Sequence, residues 1–151
     1  MTTFNPHLSF DQNHTLPATP ARAPSRGAIW TGRVLSTIIS LLLGFDATMK
    51  LLRVAPVMKA SAQLGYSAHA VFGIGVVLAG CVALYAIPRS ALLGAVLLTG
   101  YLGGAIATHV RAGDPLFTHV LFPIYVAAIV WAGLALRDPR LRTLLKSWVS
   151  R

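Results

Sequence analysis

The side chains best suited to chemistry in this chain flank a short polar turn between two apolar segments. His109 ends the segment before the turn, Asp114 lies within the turn and His119 begins the segment after it. Histidine changes its protonation near neutral pH, so two imidazoles beside a carboxylate can pass protons or bind a ligand. The stretch 100–125 therefore predicts a helical hairpin that holds both histidines at one surface of a membrane.

Four further side chains extend this candidate site. Asp46 and Lys50 are four residues apart with the acid first, the favourable order for an ion pair on one helix. Tyr101 precedes His109 by two helical turns and shares its face, and His69 begins another apolar segment. Such a set suits a quinone headgroup or a proton relay, while ordinary packing and membrane-boundary roles remain the alternative for each member.

A metal or haem centre is disfavoured by the spacing of these residues. No two histidines are three or four residues apart, as compact helical metal sites require. His109 and His119 lie at the same predicted surface, whereas a bis-histidine haem takes its ligands from facing helices. Cys81 is the only cysteine, which excludes cysteine-pair metal sites. We assign no metal and no catalytic residue. The identity of any cofactor is left undetermined, with quinone as the candidate.

The elements that must position these side chains are predicted membrane helices. Hydrophobic residues make up 55% of the chain and charged residues 11%, with a mean hydropathy of +0.66, whereas a soluble domain carries about 25% charged residues. The two central apolar segments have almost no polar face, which argues against a soluble bundle. We predict an all-α integral membrane four-helix bundle within residues 28–137. Its helices, each close to the ~20 residues that cross a bilayer, are expected at 30–52, 68–87, 91–110 and 120–136.

Polar segments flank the predicted bundle on both sides. Residues 1–27 contain four prolines and no apolar run, which predicts a disordered tail rather than a cleaved signal peptide. Residues 138–151 alternate basic residues with apolar positions at helical spacing, so we expect a short interfacial helix on the lipid headgroups, with a frayed basic end as the alternative. Its apolar positions are Leu141, Leu144, Leu145, Trp148 and Val149.

The distribution of basic residues predicts the orientation of the helices. Cytoplasmic segments of membrane proteins retain Lys and Arg, and nine such residues fall on the side of the chain termini against four on the other. Both termini are therefore expected in the cytoplasm, with the candidate polar site at the outer face. The net charge of +9 then describes a basic collar that attracts anionic headgroups, not a nucleic-acid site.

Small residues recur at every fourth position of the first and third segments. Membrane helices associate through such rows, because small side chains let two backbones approach closely. We expect these two segments to be the most tightly packed elements of the bundle, although the same rows also suit a homo-oligomer. The residues assigned to packing are Gly44, Gly100, Gly103, Gly104 and Thr108.

Three stretches of sequence carry a family resemblance between about Val34 and Leu145. They are LLLGFDATMKLLRV, QLGYSAH and LYAIPRSALLGAVLLTGYLGGAIATHVRAGDPLFTHVLFPIYVAAIVWAGLALRDPRLR. On these stretches the chain resembles the DoxX-like family of small bacterial membrane proteins, which implies four membrane helices in a bacterial inner membrane. One departure is Ser67, where we expect proline in many relatives; it is expected to loosen the start of the second helix.

Two functions from different classes follow from these observations. The namesake relatives of the family are small subunits associated with quinone-linked sulfur-compound oxidation and terminal quinol oxidase complexes, whereas most members have no assigned activity. The resemblance therefore implies an accessory subunit of a membrane redox system, whose electron carrier is a cofactor or a partner. The alternative is a non-catalytic scaffold that binds partners through small-residue faces. A transporter is less favoured, because no inverted repeat is detectable.

Overall fold

The structure, a computed structural model, describes residues 25–149 without the side chains at 144–146 and 148–149. The described residues form helices joined by short turns, and no strand occurs among them. A π-helical turn, Leu116–Val120, leads directly into the fifth helix. The six α-helices are α1 (Arg26–Leu51), α2 (Ala55–Gln63), α3 (Ala68–Ala86), α4 (Ala91–Ala112), α5 (Phe122–Arg137) and α6 (Pro139–Val149).

Four segments are long and apolar enough to cross a membrane. They are α1, α3, α4 and the continuous stretch Leu116–Arg137. A helix satisfies its own backbone hydrogen bonds, so it can cross hydrocarbon without water. The predicted all-α membrane fold is confirmed, whereas residues 1–24 of the expected disordered tail lie outside the described residues.

Local sequence accounts for the starts of two of the membrane-spanning helices. The Ser25 hydroxyl accepts a hydrogen bond from the Ala28 amide at 3.3 Å, which begins α1 four residues earlier than expected. Ser67 caps α3 in the same way, accepting from the Ala70 amide at 3.3 Å. Ser67 thus gives the start of this helix a hydrogen-bonded cap, which argues against the expected loosening.

The four membrane-spanning segments form an antiparallel bundle with α1 and α4 on opposite corners. α1 packs beside α3 and α5, and α4 packs beside the same two helices, while no Cα atom of α1 lies within 8 Å of a Cα atom of α4. The short helix α2 lies on α1 and α3. We call the end where α1 stops and α3 starts the α2 end, and the opposite end, where α5 stops, the α6 end.

A buried hydroxyl ties three helices together in the core. The Tyr85 hydroxyl on α3 donates to the Val130 carbonyl of α5 at 2.8 Å and lies 3.0 Å from the Ser36 hydroxyl of α1. Both of its partners and its own side chain are fully buried. Because a buried hydroxyl is costly without partners, this network fixes the relative positions of the three helices. The apolar core around it includes Ile39, Leu43, Leu78, Leu98, Val126 and Leu134.

The closest helix contacts use other glycines than the sequence analysis expected. A Cβ at Gly94 would overlap the backbone of Tyr85, and a Cβ at Gly32 would lie 2.6 Å from the Arg137 amide. Both contacts belong to the half of the bundle nearer the α6 end. By contrast, no neighbouring atom lies within 4 Å of the Cβ position at the expected packing glycines, Gly44, Gly100, Gly103 and Gly104.

The expected tight packing of the first and third segments is therefore not found at these glycines within the chain. A row of small residues shows which face of a helix can be approached, but the rotation of the helix decides whether a neighbour is there. Here α1 and α4 lie diagonally across the bundle. The first part of each small-residue row is buried in the core, around Ser36 on α1 and Ala95 on α4. The expected packing residue Thr108 instead donates to the Gly104 carbonyl within α4 at 3.0 Å.

The final helix α6 folds back onto the end of α5. The Arg142 guanidinium donates to the carbonyls of Ala135 and Leu136 at 2.6 and 2.9 Å, so it satisfies the backbone acceptors at the C-terminus of α5. Leu141 is buried against the bundle. The other apolar positions of the expected interfacial stripe lie outside the described side chains, so its placement on lipid headgroups stays a prediction.

Candidate functional site

A cavity of about 610 Å³ lies at the α2 end between α1, α2, α3, α4 and α5. This volume falls within the range of small-molecule sites, and apolar side chains supply most of the lining. A few polar groups converge on the same space, which is the usual composition of a ligand pocket. The polar lining side chains are Asp46, Lys50, Ser61, Tyr66, Tyr101, Thr108 and His109.

An ion pair forms the α1 side of the cavity. The Lys50 ammonium nitrogen lies 2.5 Å from an Asp46 carboxylate oxygen, one helical turn away on the same face. Gly75 of α3 lies against this turn, since a Cβ there would sit 2.9 Å from the Lys50 Cβ. The pair thus presents a donor and an acceptor to the cavity, with their charges mutually compensated.

Tyr101 and His109 form the α4 side of the cavity. Both side chains are partly buried, and the Tyr101 hydroxyl makes no hydrogen bond to any residue within 25–149. Gly100 and Gly104 line the space beside them. These two glycines were expected to pack against a helix; instead, the absence of their side chains widens the cavity.

His109 is held from outside the cavity by the polar turn. Its Nδ1 lies 2.7 Å from an Asp114 carboxylate oxygen, a contact that requires the chain to reverse immediately after α4. Gly113 makes this reversal with a φ of 72°, a conformation that favours glycine. Hydrogen bonding of Nδ1 to the carboxylate leaves Nε2 as the ring nitrogen without a hydrogen-bond partner among the described residues.

Three of the predicted site residues do not line the cavity. His119 lies beside His109, with ring centroids 5.7 Å apart, but it is exposed and its Nδ1 is 2.8 Å from the Thr118 hydroxyl. His69 is exposed in the first turn of α3. Asp114 is connected to the cavity through its hydrogen bond with His109. Within residues 25–149 no three His, Cys, Asp or Glu side chains are arranged to hold a metal ion.

The sequence analysis missed the helix that covers this cavity. The helix α2 and its C-terminal end line one side of the cavity through Val57, Ser61 and Leu64, in a stretch expected to be a loop. Pro56 in the first turn of α2 was the available signal, because proline is favoured at helix starts.

Two contacts secure this covering segment to α4. The Tyr66 hydroxyl lies 2.6 Å from the Thr108 hydroxyl, and the Arg111 guanidinium donates to the Leu64 carbonyl at 3.0 Å. Tyr66 follows Gly65 in the turn after α2, and Gly65 has a φ of 85°. Hydrogen bonds therefore attach the C-terminal end of the α2 segment to α4.

The comparison with protein families tests the family resemblance that the three stretches of sequence suggested. A model of the DoxX-like family matches residues 34–133, about two thirds of the chain. The chain belongs to the DoxX-like family. The matched residues include every side chain that lines the cavity. The comparisons with curated proteins and with solved structures gave no match.

The cavity of this DoxX-like protein offers a defined set of hydrogen-bonding groups. The Lys50 ammonium is a donor, the Asp46 carboxylate an acceptor, and the Tyr101 hydroxyl can be either. The His109 Nε2 has no hydrogen-bond partner among the described residues, while Nδ1 lies 2.7 Å from the Asp114 carboxylate. This arrangement can hold a largely apolar molecule that carries hydrogen-bonding oxygen atoms.

Proposed function

We propose that this DoxX-like membrane protein binds a quinone headgroup in the α2-end cavity as an accessory subunit of a membrane redox system. The observation that carries the proposal is the convergence of Tyr101, His109 and the Asp46–Lys50 pair on one largely apolar space. An apolar pocket with few, well-placed polar groups binds a planar ring and orients it through its oxygen atoms.

The chemistry of quinones matches these groups. A quinone has two carbonyl oxygens on opposite sides of its ring, and both accept hydrogen bonds from groups such as the Tyr101 hydroxyl or the Lys50 ammonium. Reduction to the quinol takes up two electrons and two protons. In this proposal a partner redox protein supplies the electrons, while His109, supported by Asp114, transfers protons at the cavity.

Adjacent glycines on α4 allow a matched test of the proposal. Gly104 lines the cavity, whereas Gly103 is exposed and does not, and neither has an atom within 4 Å of its Cβ position. Gly104→Leu should fill the cavity and weaken binding of a short-chain ubiquinone analogue at least about tenfold, whereas Gly103→Leu should bind like the wild type. Binding is measured by calorimetric titration of protein in mild detergent.

Two results would contradict quinone binding. One is wild-type protein that neither retains quinone on purification nor binds the analogue. The other is equal affinity of the Gly103 and Gly104 variants, which would show that the ligand lies elsewhere. Unfolding temperatures of the two variants serve as the control, because both substitutions enter open space and should leave the bundle intact.

A membrane scaffold is the second candidate function, and the outward glycines favour it. No atom of another element among the described residues lies within 4 Å of the Cβ position at Gly44 or Gly103, so a helix of a partner or of a second copy can approach closely there. Under this hypothesis Gly103→Leu should lose a partner that wild-type protein retains in membrane cross-linking, and Gly104→Leu should keep it. This pattern is the reverse of the one expected from quinone binding.

A further inference from the structure

A second cavity, of about 580 Å³, lies at the α6 end and is lined by arginines from four parts of the chain. Arg33 comes from α1, Arg89 from the turn before α4, Arg137 from the last turn of α5 and Arg140 from the start of α6. Asp138 is the one acidic residue among the described residues that line it. Four guanidinium groups beside one carboxylate leave three positive charges uncompensated within this lining.

One of the four arginines is fixed by the bundle. The Arg137 guanidinium donates to the Tyr85 carbonyl at 2.6 Å and lies over the Tyr85 ring, 4.6 Å from its centroid. This contact satisfies the carbonyl and places a cation at the base of the cavity. Arg137 therefore combines a structural role with a contribution to the positive charge of the cavity.

The other three guanidinium groups have no partner within residues 25–149. Arg33, Arg89 and Arg140 form no ion pair and donate no side-chain hydrogen bond there. Asp138 forms no ion pair with any of them; its carboxylate accepts a hydrogen bond from the backbone amide of Arg140 at 2.9 Å and compensates at most one of the four charges. Clustering like charges without a counter-ion is unfavourable, so the arrangement favours binding of an anion.

The start of α4 adds a further positive contribution. Ala91, the first residue of this 22-residue helix, lines the cavity. No side chain caps the helix, since the hydroxyl of the preceding Ser90 donates to the Leu84 carbonyl at 2.9 Å instead. The amides of an uncapped first turn and the helix dipole both attract an anion.

We propose that this α6-end cavity is a phosphate-binding site. Guanidinium groups bind phosphate oxygens through paired hydrogen bonds, and arginines from four elements can surround one tetrahedral group. The phosphate belongs either to the headgroup of an anionic phospholipid or to a small soluble molecule, which offer the same chemistry at a membrane surface. The site is separate from the quinone cavity, which lies at the opposite end of the bundle.

Thermal unfolding with two kinds of phosphate tests the site and its source. Protein in an uncharged detergent is titrated with inorganic phosphate against chloride of equal ionic strength. In parallel, protein is placed in phosphatidylcholine nanodiscs with or without phosphatidylglycerol. A ligand that binds only the folded protein raises the unfolding temperature. A rise with inorganic phosphate identifies a soluble phosphate source, and a rise with phosphatidylglycerol alone identifies the lipid headgroup.

Arginine variants separate a specific site from general attraction to the basic surface. Arg33→Gln and Arg89→Gln should each weaken binding about tenfold, since each removes charged hydrogen bonds to the anion. Arg26→Gln is the matched control, because Arg26 precedes Arg33 by two turns of α1 and does not line the cavity. Arg89 lies in an exposed turn, so its variant keeps the test valid if the Arg33 variant fails to fold.

Two results would contradict the phosphate-binding proposal. If neither phosphate nor phosphatidylglycerol raises the unfolding temperature of the wild type, the cavity is not a phosphate-binding site. Equal loss of binding in Arg26→Gln and in both cavity variants would show that only the overall surface charge matters. Quinone binding is unaffected by either failure, because its residues lie at the α2 end.

Discussion

Two tyrosines show how the same side chain takes different roles in this bundle. The Tyr85 hydroxyl has two partners, Ser36 and the Val130 carbonyl, and it is sealed in the core. The Tyr101 hydroxyl has no partner among the described residues, and its side chain lines the cavity. A hydroxyl in a largely apolar space gains most from a ligand that hydrogen-bonds to it. Tyr101 is therefore the sharpest single-residue test of ligand binding.

Tyr101→Phe should weaken binding of the quinone analogue by about fivefold, the effect of losing one hydrogen bond worth about 1 kcal/mol. The unfolding temperature should stay at the wild-type value, because no protein partner is lost. Tyr125→Phe is the control, since Tyr125 is exposed on α5 and lies outside the cavity lining. An unchanged dissociation constant in Tyr101→Phe, measured by calorimetry, would show that the hydroxyl does not contact the ligand.

At the scale of elements, several of the closest contacts between helices lie in the half of the bundle nearer the α6 end, and the mainly apolar cavity lies at the α2 end. The helices approach most closely at Gly32, Gly94 and Gly133, where a Cβ would meet atoms of another helix. Toward the α2 end, Gly100 and Gly104 face open space instead. The short helix α2 then covers the resulting cavity. Along α4, position therefore separates the packing role of Gly94 from the space-making role of Gly100 and Gly104.

Gly94→Ala should destabilise the bundle, since the added methyl would overlap the Tyr85 backbone and force α3 and α4 apart. Overpacking of this kind costs about 1–3 kcal/mol. Gly103→Ala, on the same helix but facing no neighbour, should unfold at the wild-type temperature. Thermal unfolding in detergent, followed by circular dichroism, makes the comparison. Equal unfolding temperatures for the two variants would mean that the close α3–α4 contact does not exist.

Across the whole molecule, two cavities with different chemistry lie at opposite ends of the membrane-spanning bundle. The α2-end cavity is mainly apolar and contains a compensated ion pair, while the α6-end cavity carries an excess of arginine. In the orientation predicted from the basic residues, the arginine-rich α6 end faces the cytoplasm. That prediction follows the bias of Lys and Arg toward cytoplasmic segments. The α2-end cavity would then lie near the outer surface.

Reporter fusions test this orientation. A reporter enzyme that is active only outside the cytoplasm should be active when fused after Gly113, in the turn at the α2 end. The same reporter fused after Arg89, in the turn at the α6 end, should be inactive. Activity is measured in whole cells with fusion levels matched by immunoblot. The opposite pattern would place the arginine-rich cavity outside and the α2-end cavity at the cytoplasmic surface.

The residues of the candidate site were only partly predictable. Asp46, Lys50, Tyr101 and His109 were found because their spacing places them on helix faces at one end of the bundle. Tyr66 was missed, since it lies in a turn where no periodic pattern shows its direction. His69 shares the α2 end but not the cavity, because a position at a helix start does not determine which neighbour the side chain faces.

The sequence by itself determined the four membrane spans, their antiparallel order and the collection of polar residues at their ends. These are local properties: a run of about 20 apolar residues must form a helix in hydrocarbon, where no water can satisfy the backbone. Only the tertiary structure decided that α1 and α4 lie diagonally and that α2 covers a cavity. Those outcomes depend on how each helix is rotated against its neighbours, which is set by contacts between residues far apart in the chain.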